Sequence, residues 1–466
     1  MADISAILST GTARSIGAAI AAGKITSVAA THWYLDRIAA LDGGEHGLNC
    51  VRSISPLALE QAGRADAELA AGRRRSPLHG VPYLLKDNVF TADGTPASAG
   101  AGALAGFVPP HEATLVARLR DGGAVLLGKT NLTEFADFVA DTMPSEFSGA
   151  GGVVRNPLGV RYGRGLGSSV GSAAAVAARL CAFAIGTETQ NSIQAPAIHS
   201  AVAGLKPTVG RVSRHGIVPL VPSQDAPGAL ALTMDDAALV CRLLEGADVQ
   251  DTAPGGTSLQ GLRIGIPRRH IADNVLTDAR KTVFEDTLAA LARAGAVIVD
   301  PCDLPSAAQL HEVRSSVFRT EFKESLNQML AALAPCGMQS LDDIIAWNRA
   351  HPDAIPYGQS LLEAANATTG TASPQYIEDR RRDLALSIDA GIEAALQAGS
   401  ADVLLAPMTA AAKCTGKAGA PVAAIPAGRD ADGQPFGVTV FSLPGADHAV
   451  LQAAIAIEQA IDKHPA

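Results

Sequence analysis

Apolar and polar positions follow one another along the chain in a pattern that predicts strands and helices in turn. Up to about residue 250, short apolar runs predict buried strands, and segments with apolar residues at helical spacing predict helices. The predicted strands are Val81–Leu85, Ala124–Gly128 and Phe183–Ile185. The predicted helices lie within residues 10–70, at Ala113–Arg120 and at Ser172–Ala182. This alternation favours an α/β fold in which helices cover a β-sheet.

A turn-rich link at 250–262 separates this part from a second part in which helices dominate. The further predicted strands are Leu262–Pro267, Ala296–Val299, Val403–Pro407 and Gly437–Phe441. The further predicted helices are Asp278–Gly295, most of residues 305–400, and about 447–462. Because the chain returns to strands at its end, we predict one domain over 1–466. Its parts are N-terminal helices (1–70), a core (75–240), a mostly helical excursion (305–400), and closing strands with a helix (401–466).

Composition and charge argue against several classes of function. The net charge of −9 disfavours a nucleic-acid-binding surface and a basic membrane-surface helix. The longest apolar run, Ala173–Gly186, is interrupted by Arg179 and is too short to span a bilayer. The six cysteines form no Cys-x-x-Cys pair and the N-terminus has no signal-peptide pattern, so we expect a cytoplasmic protein with free thiols. No histidine pair has metal-ligand spacing with an acidic partner, so neither a metal nor a cofactor is expected.

Three segments carry candidate catalytic residues. Lys86 follows the first predicted strand in Gly80-Val-Pro-Tyr-Leu-Leu-Lys-Asp-Asn88. Ser168 lies in Gly167-Ser-Ser-Val-Gly-Ser172, and Ser192 ends Gly186-Thr-Glu-Thr-Gln-Asn-Ser192. Since none of these segments contains a histidine, a serine hydrolase built from them needs a lysine as its base. Burial at the end of an apolar strand would lower the pKa of Lys86 from about 10.4, so that its neutral amine could accept a proton near pH 7.

Each of these residues also has an ordinary structural explanation. Lys86 could be a solvated lysine paired with the aspartate beside it. The Ser168 loop could bind phosphate, although it lacks both Gly-x-Gly-x-x-Gly and Gly-Lys-Ser/Thr, or it could start a helix capped by Ser169 or Ser172. Ser192 could be a polar loop residue, since the Gly-x-Ser-x-Gly elbow is absent. The three residues together favour catalysis over the separate explanations.

The residues stand among motifs that resemble the amidase signature family. The matching segments are Pro77-Leu-His-Gly-Val-Pro82, Lys86-Asp-Asn88, Gly128-Lys-Thr-Asn131, Glu134-Phe-Ala136, Arg155-Asn-Pro157 and Gly204-Leu-Lys-Pro-Thr-Val-Gly-Arg-Val-Ser213. The resemblance covers most of the chain, is densest at 75–240, and includes the spacing from Ser168 to Ser192. It implies the amidase signature fold, a large mixed β-sheet covered on both faces by α-helices. The second motif lysine, Lys129, is interpreted as structural.

The same resemblance implies a Lys–Ser–Ser triad that hydrolyses amides. Ser192 would be the nucleophile that forms an acyl-enzyme. Ser168, preceded by a cis Gly167–Ser168 peptide bond, would pass the proton of Ser192 to Lys86. The oxyanion hole would be formed by backbone N–H groups of Thr189, Gln190, Asn191 and Ser192.

The chain departs from the family pattern near the serines. Gln190-Asn191 replaces Gly-Gly and adds two side chains at the mouth of the oxyanion hole. Gln194 stands where the family has an arginine that can hold a substrate carboxylate, which favours a neutral substrate. Val170 replaces a glycine, and we expect Ser169, Val170 and Gln194 to line the substrate pocket. The segment from Pro407 to Pro421 is short for the family, which would open one side of the site.

These features predict a hydrolase that cleaves the C–N bond of neutral aryl or alkyl amides, with esters and carbamates as further substrates. Two alternatives stay open: the amidase subunit of a tRNA-dependent amidotransferase, and a catalytically silent relative that acts as a binding protein. The missing Gly-Gly and Arg count against the first, and the retained Lys86, Ser168 and Ser192 count against the second. The expected partner is a small-molecule amide, without nucleic acid or membrane, and a homodimer is the prior expectation.

Overall fold

A computed structural model describes residues 4–247, 249, 257–271 and 275–462 of the chain. Its strands are β1 (Val51–Ile54), β2 (Pro82–Lys86), β3 (Val125–Thr130), β4 (Phe147–Ser148), β5 (Gly152–Val153), β6 (Phe183–Glu188), β7 (Ala203–Lys206), β8 (Ala226–Ala231), β9 (Arg263–Gly265), β10 (Val297–Val299), β11 (Val403–Pro407), β12 (Val422–Arg429) and β13 (Pro435–Phe441). Within the described ranges, the main sheet has 11 strands in the order β1-β3-β2-β6-β8-β7-β12-β13-β11-β9-β10, and β4 pairs with β5 apart from it.

The main sheet is mixed. β2 runs parallel to both β3 and β6, and β9 runs parallel to both β10 and β11. The other neighbours pair antiparallel, including the long β12–β13 pair. Strands from the 75–240 core and from the 401–466 segment are hydrogen-bonded to each other through β7 and β12. The predicted large mixed sheet is therefore confirmed, and one sheet joins both ends of the chain.

Helices flank this sheet. The α-helices are α1 (Ile4–Thr10), α2 (Ala13–Ala21), α3 (Ser27–Leu41), α4 (Ala58–Ala70), α5 (Thr114–Asp121), α6 (Val170–Ala177), α7 (Gln194–His199), α8 (Met234–Leu244), α9 (Asp278–Arg293), α10 (Ala307–Glu312), α11 (Val317–Leu333), α12 (Leu341–Ala350), α13 (Ser360–Asn366), α14 (Pro374–Leu384), α15 (Ala394–Gly399), α16 (Ala412–Ala418) and α17 (Asp447–Asp462). A π-helical stretch, Ala385–Glu393, joins α14 to α15. No helix in the described ranges is long and apolar enough to cross a membrane.

The central strands are buried along their whole length. Every residue of β2, β6, β8 and β13 is buried. A strand without an exposed face must be covered on both sides, which explains why these strands are near-continuous apolar runs rather than alternating ones. A second hydrophobic cluster, which includes Phe135, Phe322 and Leu326, anchors the helical excursion to the loop after β3.

Three sequence predictions of local structure need correction. The N-terminal 1–70 segment is not purely helical, because it contributes β1, which forms one edge of the main sheet and pairs with β3. The helix predicted at Ser172–Ala182 is α6, which ends at Ala177. Two residues later Arg179 has a left-handed backbone conformation (φ 60°), which is incompatible with a continuing α-helix. The closing segment holds β12 and α16 in addition to the predicted elements. Part of the predicted 250–262 link lies outside the described residues.

Candidate active site

Lys86 is the last residue of β2. Its strand is flanked on both sides by parallel neighbours, so the lysine side chain is delivered into the interior at the carboxyl edge of the sheet. The whole residue is 0% exposed. The expectation that an apolar strand ends at a buried Lys86 is therefore confirmed.

The amine of Lys86 is surrounded by hydroxyl groups. Its Nζ lies 2.7 Å from Ser168 Oγ, 3.0 Å from Ser169 Oγ and 2.9 Å from Thr187 Oγ1. The Thr187 carbonyl oxygen lies 3.3 Å away. None of these partners is a carboxylate, so the ammonium form gains no direct ion pair here.

Burial therefore controls the charge of this amine. Desolvation lowers the pKa of Lys86 to about 7, against the weaker opposing fields of Asp225, Glu188 and Asp137. The neutral amine is therefore accessible to Lys86 near pH 7.

Ser168 lies two residues before the start of α6. The Gly167–Ser168 peptide bond is cis, as the resemblance implies. Ser168 is 0% exposed, and its carbonyl oxygen accepts the Thr133 N–H at 3.1 Å. Gly167 has no room for a side chain, since a Cβ there would lie 2.3 Å from Thr133 Oγ1. The loop after β3 thus fixes the backbone that presents Ser168 to the lysine.

Ser192 lies on the loop between β6 and α7. The Ser169 N–H donates to the Ser192 carbonyl oxygen at 3.0 Å, which ties the two serine loops together. Ser192 is 5% exposed and lies at the wall of a cavity. The structure thus brings Lys86, Ser168 and Ser192 to one edge of the sheet, although they are far apart in the sequence.

Glu188, at the end of β6, braces the Ser192 loop. Its Oε2 accepts the N–H groups of Ile193 (2.8 Å) and Gln194 (2.9 Å), and its Oε1 accepts Gln194 Nε2 at 2.6 Å. Gln194 Nε2 also donates to the Gln190 carbonyl oxygen at 2.9 Å. The loop is held at both ends by one buried carboxylate and one amide.

The N–H groups of the Ser192 loop are available to a ligand. Among the described residues, no acceptor is hydrogen-bonded to the backbone N–H of Gln190, Asn191 or Ser192. The Asn191 side chain, one of the two that replace Gly-Gly, is turned aside and donates to the Gly165 carbonyl oxygen at 2.7 Å. The Thr189 hydroxyl donates to Asp225 Oδ1 at 2.5 Å. Free N–H groups beside a serine can stabilise a developing oxyanion.

A cavity of about 480 Å³ opens over these groups. Its lining includes the four residues predicted for the oxyanion hole, Thr189, Gln190, Asn191 and Ser192. Apolar wall residues come from the loop after β3 and from the excursion, and include Phe138, Phe318 and Leu361. Basic residues of the excursion and of α16 complete the wall.

The three residues expected to line the substrate pocket have other surroundings. Ser169 is buried beside Lys86, and its Oγ donates to the Thr187 carbonyl oxygen at 3.2 Å. Val170 is 0% exposed and belongs to the hydrophobic core. Gln194 is 1% exposed and faces Glu188. None of them is among the lining residues of the 480 Å³ cavity.

Two residues next to Lys86 were not identified as site residues from the sequence. Thr187 Oγ1 contacts Lys86 Nζ, and Asn88 Nδ2 donates to the same hydroxyl at 3.0 Å. Both residues lie inside the quoted motifs, but only the parallel pairing of β2 with β6 shows that they meet. Among the described residues there is no group of three or more histidine, cysteine, aspartate or glutamate side chains that could hold a metal ion.

The sequence model of the family described as Amidase matches residues 29–417. The chain belongs to the amidase family. The predicted amidase signature membership is thereby confirmed, and the matched span contains Lys86, Ser168 and Ser192.

Relatives of this amidase-family chain match it over nearly its whole length. The "Probable amidase" of Arabidopsis thaliana is 32% identical over 94% of this chain and 87% of its own. A glutamyl-tRNA(Gln) amidotransferase subunit of Ralstonia pickettii is 33% identical over 97% of this chain and 98% of its own. The solved native peptide amidase of Stenotrophomonas maltophilia is 38% identical, with a TM-score of 0.89 and 97% coverage of both chains. The similarity therefore extends beyond the serine motifs to the excursion that walls the cavity.

Proposed function

We propose that this amidase-family hydrolase cleaves neutral amides through an acyl-enzyme on Ser192. The observation that carries the proposal is the buried Lys86 Nζ, which lies 2.7 Å from Ser168 Oγ and has a pKa of about 7. A neutral amine can accept a proton from one hydroxyl while it donates its own N–H groups to others. Ser169 Oγ and Thr187 Oγ1 are suited to receive those N–H groups.

In the first half of the reaction, Ser192 Oγ forms a bond to the amide carbonyl carbon. The Ser192 proton passes to Ser168, and the Ser168 proton passes to the Lys86 amine. The carbonyl oxygen becomes an oxyanion, which the free N–H groups of the Ser192 loop stabilise. The C–N bond then breaks as the proton returns along the same route to the leaving nitrogen.

In the second half, water attacks the acyl-enzyme. The water gives its proton to the Ser168–Lys86 pair as its oxygen bonds to the acyl carbon. The C–O bond to Ser192 breaks, and the proton returns to Ser192 Oγ. Atoms and charge balance without a metal or a cofactor, and the products are an acid and an amine or ammonia.

The substrate class follows from the cavity and from the relatives. The 480 Å³ cavity is large enough for an acyl group of several residues' size, and the peptide amidase match covers 97% of the chain. We therefore propose a peptide-like acyl group on a neutral amide, with aryl and alkyl amides as smaller substrates. Gln194 stands at the position of the family arginine, and its amide contacts Glu188. No basic side chain from this position therefore lies beside the scissile bond.

A second candidate function is that of an amidotransferase component, because the Ralstonia pickettii protein matches over 98% of its own length. The two functions differ in partner and in substrate. Glutaminase activity that appears only after a partner protein co-purifies would favour the amidotransferase.

The test follows nitroaniline release from neutral acyl and peptidyl nitroanilides, and ammonia release from peptide amides and glutamine. Wild-type enzyme is compared with Ser192→Ala. We expect turnover of peptidyl substrates that is lost in Ser192→Ala. Turnover that survives in Ser192→Ala, or folded wild-type enzyme that is inactive on every substrate, would refute the proposal.

A further inference from the structure

We propose that the cavity over Ser192 contains a subsite for a carboxylate, formed by Arg314 and Arg319. The preferred substrates would then be amides that are uncharged next to the scissile bond and carry an anionic group farther along the acyl part. This inference deepens the proposed function and rests on it for the reaction at Ser192.

The charge of the cavity is opposite to the charge of the protein. The chain as a whole has a net charge of −9. The cavity lining nevertheless contains four basic side chains and two acidic ones. These are Arg314, Arg319, Lys413, Lys417, Asp137 and Asp383. Positive charge collected in one concave wall of an acidic protein focuses a field that attracts anions.

The acidic residues of the lining do not cancel this charge. Asp383 is fully buried, and its Oδ2 lies 2.6 Å from Lys417 Nζ. Ser315 Oγ donates to the same oxygen at 2.7 Å, while Oδ1 has no hydrogen-bond partner among the described residues. Lys417 therefore neutralises Asp383. Among the described residues that line the cavity, Asp137 is then the one acidic side chain left to balance Arg314, Arg319 and Lys413.

Asp137 lies on the other side of the site, next to the serines. Its Oδ2 accepts the Ser145 hydroxyl at 2.7 Å. A substrate carboxylate close to the scissile bond would therefore lie beside another carboxyl group rather than beside a basic one. The same group placed farther out, beside the start of α11, would meet the two arginines.

Both arginines have free guanidinium groups. Arg314 and Arg319 are exposed into the cavity, and neither side chain makes a hydrogen bond or an ion pair with any described residue. Elsewhere in the chain, arginines commonly hold carboxylates, as Arg268 does with Asp300 and Glu285. A guanidinium presents a planar fork that binds a carboxylate through two parallel hydrogen bonds. The free pair is thus suited to an external anion.

The neighbouring lysines add to the field. Lys413 Nζ is held by the carbonyl oxygens of His311 and Val313, each at 3.1 Å. Burial lowers the pKa of Lys413, and the charges of Lys417 and Arg314 lower it further. Mutual repulsion of this kind indicates a locally positive potential, which a bound anion would relieve.

The test uses substrates that differ only in one charge. Succinyl-peptidyl nitroanilides of increasing length are compared with their methoxysuccinyl counterparts, in which a methyl ester blocks the carboxylate. We expect wild-type kcat/KM to favour the succinyl form by about tenfold at the length that reaches the arginines. High salt should narrow this ratio, because the arginines are exposed.

The variants separate the subsite from general charge effects. In the double variant Arg314→Gln, Arg319→Gln, the succinyl-to-methoxysuccinyl ratio should fall close to one. Arg64→Gln, which removes an exposed arginine of α4 outside this cavity, should keep the wild-type ratio. A wild-type ratio at or below one at every length, or a ratio that persists in the double variant, would overturn the subsite.

Binding to Ser192→Ala distinguishes this proposal from the reaction itself. Calorimetric titration of that variant with each substrate pair measures affinity without turnover. Tighter binding of the succinyl form, lost when both arginines are also replaced, would support the subsite even if the proposed hydrolysis failed. Equal affinity for both forms would refute it, whatever the enzyme hydrolyses.

Discussion

Replacing Lys86 by methionine is the sharpest test of the proposed chemistry. The substitution keeps the length of the side chain in a fully buried site but removes the amine that contacts Ser168 Oγ at 2.7 Å. Without that amine, nothing accepts the proton that Ser192 must lose. A positioned base contributes about 10²–10⁴ in rate, so we expect kcat/KM for a peptidyl nitroanilide to fall by about 10³-fold.

The pH dependence of the wild-type enzyme gives the second part of this prediction. The base must be neutral, and the pKa of Lys86 is lowered by burial to about 7. The rate should therefore rise with pH through about 7 and level off above it. One pH unit below the pKa, about a tenth of the enzyme carries the neutral amine and the rate should be about a tenth of the plateau.

The same pKa shift makes the stability of the fold depend on pH. The native amine has a pKa of about 7 and the unfolded one about 10.5, so between these values the unfolded chain binds more protons. The lowered pKa therefore weakens the fold at and below about pH 7, and stability recovers as pH rises towards about 10.5. The full effect approaches about 5 kcal/mol.

Methionine removes this penalty together with the hydrogen bonds of the amine. The bonds to Ser168, Ser169 and Thr187 contribute about 1 kcal/mol each. Near pH 7 the two effects largely offset, so the melting temperature of Lys86→Met should equal or exceed that of the wild type. From about pH 7 to about pH 9 the melting temperature of the wild type should rise relative to that of the variant, because the penalty of the buried amine decreases over this range.

The measurements are kcat/KM from pH 5.5 to 9 and thermal melting at both ends, for wild type, Lys86→Met and the exposed control Lys24→Met. Lys24→Met should match wild type throughout. A flat rate profile, or a Lys86→Met rate within tenfold of wild type, would refute Lys86 as the base.

Three further variants test the surroundings of Lys86, Ser168 and Ser192. Thr187→Val removes an acceptor 2.9 Å from Lys86 Nζ that favours the charged amine, so the rise in the rate profile should move to lower pH. Gln194→Leu removes the 2.6 Å hydrogen bond to Glu188 that braces the Ser192 loop, so kcat should fall about 10–100-fold with a smaller change in KM. Gly171→Ala would place a Cβ 2.2 Å from a backbone oxygen beneath α6, and should lower the free energy of unfolding by about 1–3 kcal/mol.

Each of these predictions has its own contrary result. A rate profile of Thr187→Val that moves to higher pH would mean that the hydroxyl does not favour the ammonium, and Thr187→Ser is the control that keeps the acceptor. For Gln194→Leu, a change in KM alone would assign the residue to substrate contact, and Gln194→Glu tests whether the amide donor is needed. An unchanged free energy of unfolding of Gly171→Ala in urea would show that the loop below α6 can move to make room for the added methyl group.

Lys86, Ser168 and Ser192 could be singled out as candidates because each lies within a dense local motif. The apolar run before Lys86 predicts both a buried strand and a desolvated amine, and the structure has both. The same local reasoning fails for β1, because Val51–Ile54 is short, partly polar and stable only through its pairing with β3.

The roles of Gln194 and of the cavity cations depended on contacts between distant parts of the chain. Sequence reasoning interpreted Gln194 from the residue it replaces, whereas its amide donates to Glu188, six positions earlier on the preceding strand. Arg314 and Lys413 are about a hundred residues apart and meet only because α16 packs beside the excursion. Helical spacing can predict both segments, but it carries no information on which of their side chains share a cavity.

Burial of a lysine does not by itself identify the base of this enzyme. Lys86, Lys129 and Lys206 are all fully buried, and burial lowers their pKa values to about 7, 8 and 8. Lys129 Nζ donates to the Val89 carbonyl oxygen, and Lys206 Nζ lies 3.4 Å from the Pro207 carbonyl oxygen. A carbonyl oxygen has no proton to give, so neither amine can take part in a proton transfer with it. Lys86 faces hydroxyl groups, and the closest of them belongs to the serine whose loop is hydrogen-bonded to Ser192. The partner of the amine, rather than its pKa, therefore distinguishes a candidate base from two structural lysines.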